Sequence, residues 1–576
     1  MRLFLTYLKN YKKESILGPL FKLLEASFEL FIPIVIAAIV DVGIAEGDKP
    51  YIIRMCLLLV ALAVIGLVCA VTAQYFAAKA ATGVAKNLRG SLFAHIGTLS
   101  YTELDTIGTS TLITRMTSDV NQVQSGINLT LRLLLRSPFV VFGAMIMAFI
   151  VGGTAAMPFA VTIPLLCLVV FGIMLISIPL YKKVQGKLDR VLGITRRNLT
   201  GVRVIRAFCR EEEEIEEFDR RNEELTAIQK YVGRISALMN PVTYVIINAA
   251  TLILIYSGAI KVSHGILTQG TVIALYNYMS QILVELVKMA NLIISITKAV
   301  ACGHRIEAVM AKESSMADGT AEYPSARAPY AVEFRGATLR YAGAAEESLS
   351  PITASVRHGE IVGVIGGTGS GKTSLVNLIP RFYDVTDGEI LVNGQNVKTY
   401  KTAELRSHIG IVPQKAVLFK GTIRENMRYG NENATDEEIL EALRVAQGAS
   451  IVAEKEGGLD YPLEQGGKNL SGGQRQRLTI ARALLRKPEI LILDDSASAL
   501  DYATDAALRR ALKESLPDTT VFIVSQRTAS IMHADQILVL DDGDVVGAGK
   551  HGELMDTCPT YREIYESQFK REEAEA

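Results

Sequence analysis

Excess charge of either sign is missing from this chain: 60 Lys and Arg balance 60 Asp and Glu over 576 residues. That leaves no basic surplus to hold a phosphodiester backbone and argues against a nucleic-acid partner. Cysteine is scarce too. The six present, Cys56, Cys69, Cys167, Cys209, Cys302 and Cys558, show no metal-ligand spacing and lie mostly in apolar contexts, so they read as packing residues and not as disulfides or a zinc site. The N-terminus also lacks the basic region, short apolar core and small-residue cleavage site of a signal peptide. Instead, MRLFLTYLKNYKK sets apolar side chains on one side and Lys9, Lys12 and Lys13 near its end, which predicts an amphipathic helix on the cytoplasmic membrane surface, a frayed terminus being the alternative.

Long apolar runs are what the chain has in quantity, and only up to about residue 305. The length calls for at least two domains. Uncharged windows near 30–40, 55–78, 137–181, 235–260 and 269–284 predict about six membrane-crossing helices once the third is split at residues 151–158. The intervening segments 79–136 and 182–234 are long and polar, and the second is dense in Lys182, Lys183, Lys187, Arg190, Arg196, Arg197, Arg203 and Arg206, so both are expected on the cytoplasmic side. At 1.5 Å per residue they would project roughly 30 Å beyond the bilayer. Turnarounds are expected near 100–108 and at 198–208, and the run Glu211–Glu214 with Glu216 and Glu217 reads as a solvated face balanced by Arg220 and Arg221.

Charges inside membrane helices are costly and therefore worth naming. Glu25 and Glu29 share a face at i, i+4 of the first helix, and Glu285 and Lys288 share one at i, i+3 of the last. They are candidate substrate or gate contacts; the alternative is an intrahelical pair near the cytoplasmic leaflet and two glutamates facing a solvated crevice.

Residues 311–330 are small and polar with two prolines and no helical stripe, the expected linker between a membrane domain at 1–310 and a soluble domain at 331–576. The soluble half has the mixed, Gly-punctuated pattern of an α/β domain. Within it, Gly366-Gly367-Thr368-Gly369-Ser370-Gly371-Lys372-Thr373-Ser374 fits G-x-x-x-x-G-K-[ST] between a strand-like run and a helix-like one. Glycines let backbone N–H groups close round phosphates, Lys372 would reach the β/γ-phosphates of a nucleoside triphosphate, and Thr373 would bind Mg²⁺. EILILDDSASALD, residues 489–501, predicts a strand buried on both faces that delivers Asp494 and Asp495 to a ligand site at its C-terminal end. The ring of Tyr341 is a candidate platform for a base.

Asn-Leu-Ser-Gly-Gly-Gln-Arg-Gln-Arg at 469–477, with Ile-Val-Pro-Gln at 411–414, resembles the nucleotide-binding domain of the ABC transporter family, and the preceding helices resemble an exporter-type half-transporter. The resemblance implies an all-α polytopic membrane domain followed by an α/β P-loop ATPase domain with a helical subdomain. It implies ATP and Mg²⁺ as ligands, Tyr341 as the adenine-stacking residue, Gln414 as the sensor of Mg²⁺ and attacking water, Asp494 as a Mg²⁺ ligand and Asp501 in the loop between paired sites. Ser471, Gly472, Gly473 and Gln474 would meet the γ-phosphate held by an opposing subunit, so the working unit would be a dimer. Residues 198–208 resemble the segment before the second coupling helix, and Glu464 with Gly466 and Gly467 resembles the exporter loop that touches coupling helices.

Two positions depart from the family. Asp495 stands where its catalytic glutamate is expected, and Gln526 where its switch histidine is expected. Shortening the side chain by one methylene withdraws the carboxylate by about 1.5 Å, and a misplaced base costs on the order of 10²–10⁴ in rate. Gln526 can still donate to a phosphate but cannot become an imidazolium. The expectation is the degenerate-site subunit of a heterodimer, its partner a second half-transporter with Glu and His at these positions; an active homodimer tolerating both variants is the alternative. The predicted function is ATP-driven export of amphipathic drugs or lipids across a bacterial cytoplasmic membrane by alternating access, with the nucleotide-binding domain in the cytoplasm. The rivals are siderophore import on the same fold and an ATP-gated regulatory or channel-like subunit; a processing peptide exporter is disfavoured, since no peptidase-like domain precedes the helices.

Overall fold

The structure, a computed structural model, describes residues 6–575. The described residues divide into two compact units: 6–97 with 110–312, and 98–109 with 313–575.

The first unit is helical. Its long helices are α1 (Lys12–Ala38), α2 (Lys49–Ile96), α4 (Val120–Leu133), α5 (Arg136–Gly152), α6 (Met157–Ala207), α7 (Glu211–Ala237), α8 (Met239–Ser263) and α9 (Gln269–Met310); α3 (Tyr101–Ile107) belongs to the second unit. Among the described residues, five helical stretches are long and apolar enough to cross a membrane. The longest, residues 109–207, is two legs: Gly153 takes φ +50 and a 3-10 turn, Gly153–Ala156, separates α5 from α6. Six legs result, α7 and α8 forming one. With 48 and 51 residues, α2 and α6 extend about 72 and 76 Å against a hydrocarbon core of about 30 Å, so the long extensions are present.

Part of the predicted surface helix, residues 1–5, lies outside the described residues. From Thr6 the chain is helical and passes through a 3-10 turn, Lys9–Tyr11, into α1. The second turnaround differs from expectation. Helix α6 continues to Ala207 and the reversal is confined to Phe208–Arg210, where Cys209 adopts φ +51. Thr200 stays helical by bonding its hydroxyl back to the Arg196 carbonyl at 2.8 Å, and Gly201 has open space around it, so neither residue breaks the helix. Glu211–Glu214 occupy the first turn of α7, where the helix dipole favours negative charge, and Arg197 reaches Glu214 at 2.6 Å.

In the second unit, a four-stranded antiparallel sheet has the order β2-β1-β4-β5 (Leu349–Val356, Val332–Leu339, Glu389–Val392, Gln395–Asn396). The six-stranded sheet runs β10-β9-β3-β8-β7-β6: Asp544–Gly549, Gln536–Asp541, Ile361–Gly366, Thr520–Val524, Ile490–Asp494 and Ile409–Val412. Its strands are parallel except at the β9–β10 edge. All five residues of β7 are buried, as an apolar run bounded by polar residues predicts. Helices Asp436–Val445 and Gly472–Leu484 pack together in a largely helical region between β6 and β7.

The stretch 313–330 is irregular, apart from an isolated bridge between Ala321 and Tyr400, and belongs to the second unit. Tyr323 stacks on His408 with ring centroids 3.8 Å apart, and Asp318 accepts from the Thr402 amide at 2.6 Å. Residues 98–109 are also part of this unit: Tyr101 packs on Phe382 at 4.7 Å, and the Tyr383 hydroxyl donates to Asp105 at 2.6 Å.

Candidate functional site

Four neighbouring parallel strands end on one edge of the six-stranded sheet, where ligands of such sheets bind. Each delivers a side chain there. β3 runs into the glycine loop, β6 is followed by Gln414, β7 ends at Asp494 and leads to Asp495, and β8 is followed by Gln526. Together they line a cleft of about 600 Å³ whose walls include Thr368, Gly369, Gly371, Lys372, Thr373, Ser374, Gln414, Asp494, Asp495 and Gln526.

The glycine loop has the shape its residues require. Gly369 and Gly371 take φ +86 and +92, where glycine alone carries no steric cost, and a Cβ on Gly366 would strike the Leu540 carbonyl. Buried Ser370 closes the turn, its amide donating to the Gly367 carbonyl at 3.3 Å. Lys372, also buried, folds its ammonium back onto the Gly366 carbonyl at 3.0 Å, the Gly367 carbonyl at 2.5 Å and Ser370 Oγ at 3.3 Å. Burial lowers its pKa, against the pull of Asp495 and Asp494. A cation parked on main-chain carbonyls has replaceable partners, and phosphate oxygens are stronger ones.

Thr373 Oγ1 donates to Asp494 Oδ1 at 3.0 Å. Burial raises the Asp494 pKa and Asp495 adds to that; Thr373 and Lys372 oppose it. A hydroxyl beside a carboxylate is a hard oxygen pair suited to Mg²⁺, an ion that takes one or two protein oxygens and completes its shell with phosphates and water. Among the described residues no group of three or more His, Cys, Asp and Glu could hold a metal by itself. Asp495 sits at φ +47, a left-handed conformation that aspartate tolerates better than most residues, with its amide donating to the Val524 carbonyl at 3.0 Å.

Other predicted residues are not themselves cleft walls, although Tyr341 touches one. Tyr341 meets Ser374 through its hydroxyl at 2.9 Å and Tyr383 edge-on at 5.0 Å. Ser471 caps the helix Gly472–Leu484: its hydroxyl accepts from the Gln474 amide at 3.2 Å and the Gln474 side chain accepts from its own amide at 3.0 Å, with Gly472 and Gly473 in the first turn. Asp501 caps Tyr502–Ser515, accepting from the Thr504 amide at 2.8 Å and hydroxyl at 2.9 Å; these bonds hold its carboxyl below the usual range.

Sequence reasoning passed over two braces of the Gln526 loop. Gln568 in the last helix, Pro559–Glu575, donates to the Gln526 carbonyl at 2.7 Å and accepts from the Thr528 amide at 2.9 Å and hydroxyl at 2.6 Å. Arg527 donates to the Leu500 carbonyl at 3.1 Å and the Ser498 carbonyl at 3.3 Å, within the loop from Asp495 to Asp501. No motif marks either.

In the first unit the four predicted charges gather round a fifth that was not predicted. Arg136, 7% exposed, reaches Glu285 at 2.5 Å, Glu29 at 2.6 Å and Glu25 at 3.9 Å; Ser137 and Lys288 also hold Glu285, at 2.9 and 2.8 Å. The intrahelical Glu285–Lys288 pair exists, but as one edge of an interhelical network. Arg136 stands one residue before the apolar window at 137, so a search for charges inside windows misses it.

Residues 15–286 match the ABC transporter transmembrane region and residues 349–498 the ABC transporter domain. An uncharacterised ABC transporter ATP-binding protein of Mycobacterium tuberculosis is 36% identical over 566 residues, 98% of this chain and 97% of its own. The chain belongs to the ABC transporter family. A second relative of this ABC transporter, an ATP-dependent lipid A-core flippase of Desulfotalea psychrophila, is 32% identical over 84% of each chain. A putative multidrug export ATP-binding/permease protein of Bacillus subtilis is 30% identical over 99% of this chain and 98% of its own. The fold is that of a solved bacterial Atm1-family ABC exporter with ATP bound, at a TM-score of 0.80, 22% identity and coverage of 97% and 98%. This ABC transporter is therefore a half-transporter: a multi-span membrane region fused to an ATP-binding domain, a layout that implies a dimer in a cell membrane with the nucleotide-binding domain in the cytoplasm.

Proposed function

We propose that the chain is the degenerate-site subunit of a heterodimeric exporter of amphipathic drugs or lipids, driven by ATP through alternating access. The observation that carries it is the composition of the cleft: the phosphate loop, Lys372, Thr373 and Asp494 stand ready for Mg²⁺–ATP, while Asp495 and Gln526 line the same cleft where a glutamate and a histidine are expected. When bound, Mg²⁺–ATP supplies the phosphoanhydride whose binding and cleavage drive the cycle. Gly366 to Ser374 cradle the phosphates, Tyr341 stacks on the adenine, Thr373, Asp494 and Gln414 hold the metal side, and Asp495 offers a base set back by one methylene. Ser471 to Gln474 cap a helix start with free glycine amides, apt for the γ-phosphate of a nucleotide on the partner. Asp501 links the paired sites. The residues 1–310, 311–330 and 331–576 serve as membrane domain, connection and engine.

The names of the relatives, a lipid A-core flippase and a putative multidrug exporter, favour amphipathic cargo over the siderophore and channel readings. The purified chain alone should bind Mg²⁺–ATP and hydrolyse it slowly. Asp495→Glu with Gln526→His should raise that hydrolysis on the order of 10²–10⁴-fold; vigorous turnover by the unmodified chain alone, or no gain from the double change, would overturn the degenerate-site reading. With its partner, Ser471→Arg should suppress hydrolysis and Asp495→Asn should matter little.

A further inference from the structure

A polar stripe runs along one face of α9, from Asn277 through Ser280, Gln281 and Glu285 to Lys288, spaced i, i+3, i+4, i+8 and i+11. Opposite it, Glu29, Ile32, Pro33 and Ile36 form the matching face of α1. The two enclose a cleft of about 290 Å³. Glu285 has no capacity left, being 4% exposed and held by Arg136, Ser137 and Lys288. Its neighbours do have capacity. Glu29 gives Oε2 to Arg136 and remains 36% exposed, and Lys288 uses one donor on Glu285 and is 45% exposed. Gln281 Oε1 is buried with no hydrogen-bond partner.

Depth follows from helix rise. The helical stretch that contains α1 runs on past Ala38 to Ile44, so Glu29 and Glu285 lie about 22–24 Å from the outer ends of their helical stretches and Lys288 about 28 Å, which sets the cleft in the inner half of a core about 30 Å thick. The network of Lys22, Glu25, Glu29, Arg136, Glu285 and Lys288 carries three charges of each sign. A ligand with net charge would leave that charge uncompensated at low dielectric, whereas a dipolar one would not.

We propose that this cleft binds the head of a zwitterionic amphiphile, its ammonium at Glu29, its anionic group at Lys288, and an N–H or O–H donor at Gln281. A pure cation would face Lys288 and a pure anion Glu29. Ile32, Pro33, Ile36 and half-exposed Val284 take the first carbons of the apolar part. The volume, about ten waters' worth, suits a head group and not a whole lipid. The proposal rests on the reading of the chain as an exporter of amphipathic molecules and names the chemistry of that cargo.

The chain has no tryptophan, so Val284→Trp places a single reporter in the cleft. In detergent without nucleotide, its emission would be titrated with lysophosphatidylethanolamine, and with an alkylammonium and an alkyl sulfate of the same chain length. The expected result is at least tenfold tighter binding of the zwitterion, with the same ranking in thermal shifts of the unsubstituted chain. Glu29→Gln should erase the preference over the sulfate and Lys288→Met the preference over the ammonium. A free zwitterionic dipeptide with an apolar side chain separates the sources: a response to it supports a soluble cargo, a response to the lysolipid alone a lipid head group. Equal affinity for the three head groups, preference for a charged one, or indifference to both substitutions would overturn the proposal. Binding is read without hydrolysis or transport, so such a failure stays separate from failure of the exporter reading.

Discussion

The nucleotide cleft and the intramembrane charge network treat charge in opposite ways. In the cleft, Lys372 leans on main-chain carbonyls and Asp494 is buried beside a threonine, so both charges are held with weak substitutes for the partners they would meet in a nucleotide complex. Six charged side chains in the membrane network answer one another and sum to zero. Charges poised for an incoming ligand mark the first site; charges that complete themselves mark the second, where only the rim formed by Glu29 and Lys288 is left open. The lesson is that a polar cluster declares its purpose less by its charges than by which of them are already matched.

Breaking the network at its centre should have the largest effect. Arg136→Met leaves Glu285 buried beside a lone lysine, and removal of one partner of a buried pair costs about 3–5 kcal/mol. The thermal midpoint of the detergent-solubilised chain should fall steeply, and Glu285→Gln added to Arg136→Met should recover much of it. If Arg136→Met alone is harmless, the network is not self-compensating and the contrast fails.

A smaller loss is expected where the cleft is braced from outside. Gln568→Ala removes three hydrogen bonds to the Gln526–Thr528 loop, each worth about 0.5–1.5 kcal/mol. Exchange of the Thr528 amide should quicken and the thermal midpoint of the chain should fall, whereas hydrolysis by the assembled transporter should change little, because the braced loop belongs to this chain's degenerate site. Gln568→Glu keeps the acceptor for Thr528 and should fall between; unchanged exchange at Thr528 in both variants would show that the loop does not depend on this brace.

The smallest effect tests the unmatched charge directly. Because burial raises the Asp494 pKa, the folded, nucleotide-free domain holds that proton more tightly than the unfolded chain does. Stability therefore declines as pH rises from the ordinary carboxylate range, about 3.9, through the raised value. Asp494→Asn should raise the nucleotide-free thermal midpoint modestly above that window while losing the stabilisation that Mg²⁺–ATP gives the unmodified chain. A lower midpoint would show that Asp494 is matched already.

Legibility followed the same divide. The phosphate loop is local, since the glycine spacing and the flanking strand and helix fix its shape, and β7 announces itself as four apolar residues ending in acid. Grouping Gln414, Asp494 and Gln526 at one edge was also within reach, because each ends or follows a parallel strand. Arg136 and Gln568 were not readable, since their partners lie 149 and 42 residues away and only packing brings them together. The second turnaround was misjudged because Asn198, Thr200 and Gly201 look like turn residues, yet a solvated helix accommodates all three.

The irregular stretch from Glu313 to Tyr330 bears on how the soluble part of the chain can be handled. Tyr323 is sandwiched against Tyr400 and His408 and bonds Glu489, and Asn393 gathers the Pro324 and Ala326 carbonyls and the Ala328 amide. A fragment begun at residue 331 would strip an aromatic lid from the sheet and orphan an asparagine that is 4% exposed. One begun at residue 313 keeps the lid, so the useful cut lies just after α9 ends at Met310 and not where the first strand begins.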